Sequence, residues 1–279
     1  MKWMIVADSG CDMTDDYEGA PGAGFATVPM SIEVDGRVFK DDEHLDMDEF
    51  LHTLKTTTGT SRSACPSPDE WMDHFMKADQ TIAVTMSSGI SGTYNSARMA
   101  MEMVLEKHPE KKIHVIDTLS ISGQAMLVIW RINELIGAGH GFENIVQLAE
   151  AYNKELRVLF SLCSYDNLIK NGRLNKMVGL AASKLNFYLI GKASEKGTLQ
   201  VMGPARGLSK ALAKIVREMG ILKNVAGKPV VITHCNNASA AEKLGKLVEE
   251  TYQGAKALVY KMRGLTSFYA EESGMIIAF

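Results

Sequence analysis

Met86–Thr93 (MSSGISGT) holds four hydroxyl side chains and two glycines in eight residues. Thr81–Thr85 before it is a short, apolar, β-branched run of strand length. After it, Ala97, Met101 and Val104 share one face of a helical pattern. A strand that feeds such a loop into a helix offers unpaired backbone N–H groups and the positive end of the helix dipole, which together suit an anion. An ordinary turn in which Ser91 or Thr93 only caps the helix accounts for the same pattern. Hydroxyls and amides gather at three further places: Asp8–Asp12, Ser61–Ser67 and His234–Asn237. Neutral donors of this kind suit holding a carboxylate or phosphate without transforming it.

Catalytic signatures are absent by spacing. GISG is not the Gly-x-Ser-x-Gly elbow, because Gly92 follows Ser91 directly. No Walker A sequence, Gly-x-Gly-x-x-Gly fingerprint or His-Glu-x-x-His motif occurs. A Ser91–His234–Asp8 triad can be assembled on paper, as in any chain of this length. Cys11, Cys65, Cys163 and Cys235 lack CxxC spacing, so neither a zinc site nor a disulfide frame is expected, and no cofactor is called for. Asp41–Glu49 is acidic with one histidine, and reads as the start of a solvated helix rather than a metal site.

These residues need elements to carry them. Lys2–Ala7, Thr81–Thr85 and Lys112–Ile116 read as strands, each followed by a polar turn. Open parallel sheets place ligands at such strand ends. Phe25–Pro29, Ser31–Val34 and Arg37–Phe39 are shorter strands, the last two joined by an Asp35-Gly36 hairpin turn. Ser67-Pro68-Asp69-Glu70 is a capping box with proline at the first helical position, which leaves Ser63 in a loop just before the helix. Ser122–Ile136 is a helix apolar on most sides, and Phe142–Arg157 an amphipathic one. This β-loop-α repetition implies a parallel, doubly wound sheet. From Val158 the pattern changes to a hairpin, Asn186–Lys192 with Thr198–Met202, then helices Leu208–Met219 and Ala238–Tyr252 among strands Lys228–Thr233, Ala255–Lys261 and Met275–Phe279. The expected architecture is α/β with two domains, 1–157 and 158–279, and a cleft between them.

With 279 residues, 46% hydrophobic and 23% charged, the chain has the composition of a soluble globular protein. A formal charge of −3 leaves no basic footprint for nucleic acid or an anionic membrane. No run reaches membrane-spanning length and the first residues are too short for a signal peptide, so a cytoplasmic protein is expected. The 17 methionines are adaptable core fillers that also suit a long, flexible apolar ligand.

Taken together, Asp8-Ser9, Ser63-Ala64-Cys65-Pro66-Ser67, SSGISGTYNSA at Ser87–Ala97, Asn171-Gly172-Arg173, Arg206 before a helix and ITHCNN at Ile232–Asn237 resemble the DegV family of bacterial fatty-acid-binding proteins. The likeness runs over essentially the full length, and Ser-Gly-Thr-Tyr at Ser91–Tyr94 is its most specific part. It implies an N-terminal parallel sheet and a C-terminal α/β domain with a mixed sheet, with a lipid tunnel between them. It further implies a non-enzymatic carrier of a long-chain fatty acid, able to present it to a fatty-acid kinase. Ser63 and Ser91 would bind the carboxylate with the help of Gly92 and Thr93, while Arg173 and Arg206 would dock the kinase. The family usually has threonine where this chain has Ser63, and the hydroxyl donor is kept. The family's C-terminal His-Thr-Gly-Pro-Gly turn is replaced here by Thr266–Gly274, which has no histidine, so Ser267, Tyr269 or His234 is expected to complete the head-group network. The rival expectation is a serine-dependent hydrolase or phosphotransferase acting on an acyl substrate through Ser91.

Overall fold

Trp3–Asp8 (β1) is buried at all positions, as a strand covered on both faces must be. In the computed structural model, which describes residues 2–57, 59–175 and 186–279, β1 pairs in parallel with Ala23–Val28 (β2) and Gln80–Thr85 (β6). Lys112–Asp117 (β7) pairs in parallel with β6, giving the order β2-β1-β6-β7. Helices Pro68–Phe75 and Thr93–Lys107 cover one face, where Trp71, Phe75, Ala97 and Val104 join Met4, Val6 and Ala83 in one apolar cluster. Helix Gly123–Gly137 covers the other face, with Ile129 and Ile132 against Ile5, Ile82 and Val84. The sheet is doubly wound, as expected.

A second sheet holds Val158–Leu162 (β8), Phe187–Ala193 (β9), Leu199–Arg206 (β10), Pro229–His234 (β11), Lys256–Lys261 (β12) and Met275–Ala278 (β13), in the order β10-β9-β8-β13-β11-β12. Only β11 and β12 run parallel; every other pair is antiparallel, so this sheet is mixed. Helix Gly123–Gly137 lies between the two sheets. A Cβ on Gly123 would stand 2.9 Å from Val231 Cγ1 and 3.1 Å from Ala278 Cβ, so the helix meets the second sheet at backbone distance. Apolar side chains all round this helix are therefore core packing against two sheets at once.

Three differences from the sequence reading bear on the site. Ser31–Val34 (β3), Arg37–Lys40 (β4) and Ser61–Ala64 (β5) form a small antiparallel sheet, β4-β3-β5, so Ser63 is on a strand rather than in a loop. The acidic run is not uniformly solvated: its helix begins at Met47, capped by Asp46, while Asp41 is fully buried. A helix at Gly264–Ala270 was not expected from the sequence at all. Among the described residues, no helix is long and apolar enough to cross a membrane.

Candidate functional site

Ser87 fixes the loop that follows β6. Its N–H donates to Ser120 O at 2.7 Å and its Oγ to Gly197 O at 2.7 Å, while its own carbonyl accepts from Ser91 N at 3.1 Å. Ser91 Oγ then accepts from Thr93 N at 3.3 Å, the local turn that hydroxyl residues make at helix starts. A serine hydroxyl that accepts one bond still carries a proton to donate, so capping leaves Ser91 able to bind an acceptor. Gly92 is exposed at the N-cap of helix Thr93–Lys107. Thr93 is buried, and no partner comes within bonding distance of its Oγ1, although its hydroxyl lies near enough to Asp8 to favour the ionised carboxylate.

The β5 segment lies against this loop. Cys65 Sγ would be 3.3 Å from a Cβ on Gly92, and Ser96 Oγ donates to Pro66 O at 2.6 Å. From β5, Ser63 Oγ reaches Tyr269 OH at 2.7 Å. The Arg173 guanidinium sits 5.9 Å from the centroid of the Tyr269 ring. Its Nε donates to Ile90 O at 3.1 Å and its NH1 to Asn171 O at 2.7 Å. Ser63, Tyr269, Arg173 and the residue before Ser91 thus form one connected group, with Arg173 half-buried.

This group borders a cavity. Arg173 and Tyr269 line it together with apolar side chains from both large sheets' surroundings, among them Met86, Ile121, Phe160, Leu168, Leu199 and Ile276. A largely apolar space with a cation and a phenol in its wall suits a molecule with a hydrocarbon tail and an acidic head. Ser63, Ser91, Gly92 and Thr93 are not among its lining residues; Ser63 reaches it through Tyr269, and Ser91 follows the lining residue Ile90. Among the described residues, no histidine lines this cavity.

Three buried carboxyls hold the frame. Asp8 accepts from Gly10 N at 3.1 Å and Met86 N at 2.7 Å, tying the ends of β1 and β6 together. Asp12 accepts from Arg263 N at 2.7 Å and from the hydroxyls of Thr266 and Ser122. Asp41 accepts from Gly264 N and Leu265 N, both at 2.9 Å, and its Oδ1 lies 3.8 Å from Arg263 Nε. Asp12 and Asp41 therefore supply the N-terminal cap of helix Gly264–Ala270, which carries Tyr269. Burial raises all three carboxyls, Asp8 and Asp12 to about 7, against the opposing pull of the amides and hydroxyls that donate to them.

The remaining expected residues lie elsewhere. His234 is buried at the end of β11, where Nδ1 accepts from Asn237 N at 3.2 Å; it holds the start of the next helix and does not line the cavity. Burial and nearby Lys261 lower its pKa, so it is held neutral, as an acceptor must be. Ser267 is buried, donates to Met262 O at 3.4 Å and also stays out of the cavity wall. Of the residues considered for the missing histidine, only Tyr269 faces the cavity. Arg206 is exposed at the end of β10, 5.9 Å from the Phe187 ring centroid, in a surface groove shared with Lys210, Lys214 and Arg217. Arg173, the other residue expected to dock a kinase, lines the cavity. Among the described residues, no cluster of His, Cys, Asp and Glu is arranged to hold a metal ion.

Sequence and structure comparisons show which known proteins the chain is similar to. A family model described as "Uncharacterised protein, DegV family" matches residues 2–278. A DegV domain-containing protein of Streptococcus pneumoniae is 40% identical over 279 residues, spanning 100% of this chain and 99% of its own. The crystal structure of the Streptococcus pneumoniae Fatty Acid Kinase (Fak) B3 protein loaded with linoleic acid is similar with a TM-score of 0.97 at 40% identity, over 100% of this chain and 99% of that one. A DegV family protein from Eubacterium eligens loaded with heptadecanoic acid gives 0.93 at 36% identity, over 99% and 98% of the two chains.

Proposed function

The chain belongs to the DegV family, and from that premise we propose that it binds one long-chain fatty acid, without chemical turnover, as a cytoplasmic carrier. The observation that carries this reading is the apolar cavity lined by Arg173 and Tyr269, with Ser63 hydrogen-bonded to the Tyr269 phenol. The carboxylate takes hydrogen bonds from the hydroxyls of Ser63 and Ser91 and from the amides of Gly92 and Thr93, with the charge of Arg173 beside it. Tyr269 takes the place of the absent family histidine by orienting the Ser63 hydroxyl. Similar proteins were crystallised holding linoleic and heptadecanoic acids, ligands of the same class. The proposed division into residues 1–157 and 158–279 follows the two large sheets.

Hydrogen bonds to the head group contribute on the order of 1 kcal/mol each. The tail contributes about 0.8 kcal/mol per buried methylene, so an acid shortened from sixteen carbons to eight loses about 6 kcal/mol of gross burial. Affinity is thus dominated by the tail, and the head-group residues set orientation. One similar structure is of a protein whose name includes a fatty-acid kinase. A kinase that phosphorylates the bound acid is the partner we propose, with the basic groove around Arg206 as its docking surface.

Mass spectrometry of lipid released from freshly purified, denatured protein tests the reading. Stoichiometric fatty acid is expected, and protein that neither carries nor takes up fatty acid overturns it. An activated acyl ester distinguishes the serine-hydrolase alternative: the carrier binds the acyl chain without releasing product, whereas a hydrolase releases it and loses that activity in Ser91→Ala.

A further inference from the structure

Asn167 is buried on the short helix Asp166–Lys170, and its side chain bonds in two directions. Its Oδ1 accepts from Ser61 Oγ at 2.8 Å, and its Nδ2 donates to Phe268 O at 2.9 Å. Ser61 stands two residues before Ser63 on β5, so the two side chains leave the same face of the strand. Phe268 directly precedes Tyr269, in the last turn of helix Gly264–Ala270, where helix carbonyls lack intrahelical partners. One side-chain amide therefore joins the strand that carries Ser63 to the helix that carries Tyr269. The same short segment makes further ties. Asn167 N donates to Glu271 Oε1 at 2.9 Å, and Asn171 Nδ2 donates to Ser61 O at 3.2 Å. Asn171 O in turn accepts from Arg173 NH1 at 2.7 Å.

We propose that Asn167 is a positioning residue for the head group: it holds β5 against helix Gly264–Ala270 at the separation at which the Ser63 and Tyr269 hydroxyls meet. This role rests on the fatty-acid reading above and adds to it a residue that acts on the carboxylate site through others. An asparagine amide offers an acceptor and a donor on one rigid plane, which a hydroxyl on one side and a carbonyl on the other require. Aspartate would turn an oxygen toward Phe268 O and add a second carboxyl close to Glu271. An aliphatic side chain would leave the Ser61 hydroxyl and the Phe268 carbonyl, both on buried residues, without this partner. Hydrogen bonds to a carboxylate depend on distance and angle, whereas burial of a tail is non-directional. Loosening the Asn167 bridge is therefore felt by the head group and not by the tail.

The test compares hexadecanoic acid with the primary sixteen-carbon alcohol, which keeps the tail and lacks the carboxylate, as ligands of the delipidated whole protein. In Asn167→Ala the preference for the acid over the alcohol is expected to fall about fivefold, the worth of one hydrogen bond, with alcohol affinity unchanged. Ser61→Ala removes only the strand side of the bridge, so it decides the matter even where Asn167→Ala does not fold. It is expected to lower the preference in the same direction, and the double variant to go no further than Asn167→Ala, because the two residues share one bond. An equal loss for acid and alcohol in either variant overturns the proposal, because it would mark Asn167 as a general support of the cavity wall. An unchanged preference overturns it as well. Unaltered protein that binds neither compound, or both equally, removes the fatty-acid head-group reading itself, an outcome distinct from the others.

Discussion

Ser63 and Tyr269 stand 206 residues apart in the chain, and their hydroxyl oxygens lie 2.7 Å apart. The contact joins an edge strand of the small sheet to the last turn of helix Gly264–Ala270. Tyr269→Phe keeps the ring that packs against Phe268 and under Arg173 but removes the phenol. Fatty-acid affinity is expected to fall about fivefold, the worth of one hydrogen bond, as measured by displacement of a fluorescent fatty acid. Unchanged affinity would show that Tyr269 has no part in orienting the head-group donors.

Stability should fall as the medium goes from acid to neutral. The ordinary Asp value is 3.8, and burial raises Asp8 and Asp12 to about 7 in the fold. The folded state therefore holds protons that the unfolded chain releases. The stability these carboxyls contribute is fully present below 3.8 and is lost as pH rises through 7. The groups facing them are Asp41, which is raised as well, and Arg263, the nearby cation. Melting temperature is expected to drop by several degrees between about pH 5.5 and pH 8.5, and Asp12→Asn should flatten that slope. A melting temperature that climbs over this range would refute the assignment.

Gly191 makes room for Phe160. A Cβ there would lie 2.1 Å from Phe160 Cζ and 2.7 Å from Gln200 O, and the Phe160 ring lines the cavity. Gly191→Ala is expected to displace the ring into the ligand's space and weaken binding of an eighteen-carbon acid about tenfold, with less effect on a twelve-carbon acid. Combining it with Phe160→Ala should restore part of the loss, a coupling that a double-mutant cycle measures.

Gly197 closes the cavity from the hairpin side. It has φ +70°, and its Cβ would stand 2.0 Å from Ser87 Oγ, the group that donates to its own carbonyl. Gly197→Ala is strained in the backbone and forces the hairpin tip off the Ser87–Ile90 loop. Stopped-flow measurement is expected to show ligand release accelerated severalfold; an unchanged release rate would mean that the tip does not cover the bound chain.

The sequence discloses what depends on local pattern and conceals what depends on distant partners. The alternation of apolar runs with polar turns is enough for the parallel sheet, and Asp35-Gly36 is enough for its hairpin, both residues having positive φ. Helix Gly264–Ala270 escapes notice because its cap comes from Asp12 and Asp41, over 200 residues earlier. Asp41 is hidden for the converse reason: within an acidic stretch nothing distinguishes the carboxylate that will be buried from its exposed neighbours. Ser91 and Ser63 are visible through a motif. Arg173, read as a docking residue, joins the cavity because Asn171 and Ile90 hold its guanidinium inward.

Helix Gly123–Gly137 also governs how the molecule can be divided. Cutting the chain near residue 157 would leave one fragment with a helix greasy on the side that faced Val231 and Ala278, and the other with that strip of sheet uncovered. Each fragment would expose part of the same core and is expected to be less stable alone than within the intact chain. The intact chain is expected to melt in a single transition, which calorimetry would check. The region near residue 157 is therefore a natural place to split the protein into halves whose reunion restores the shared core.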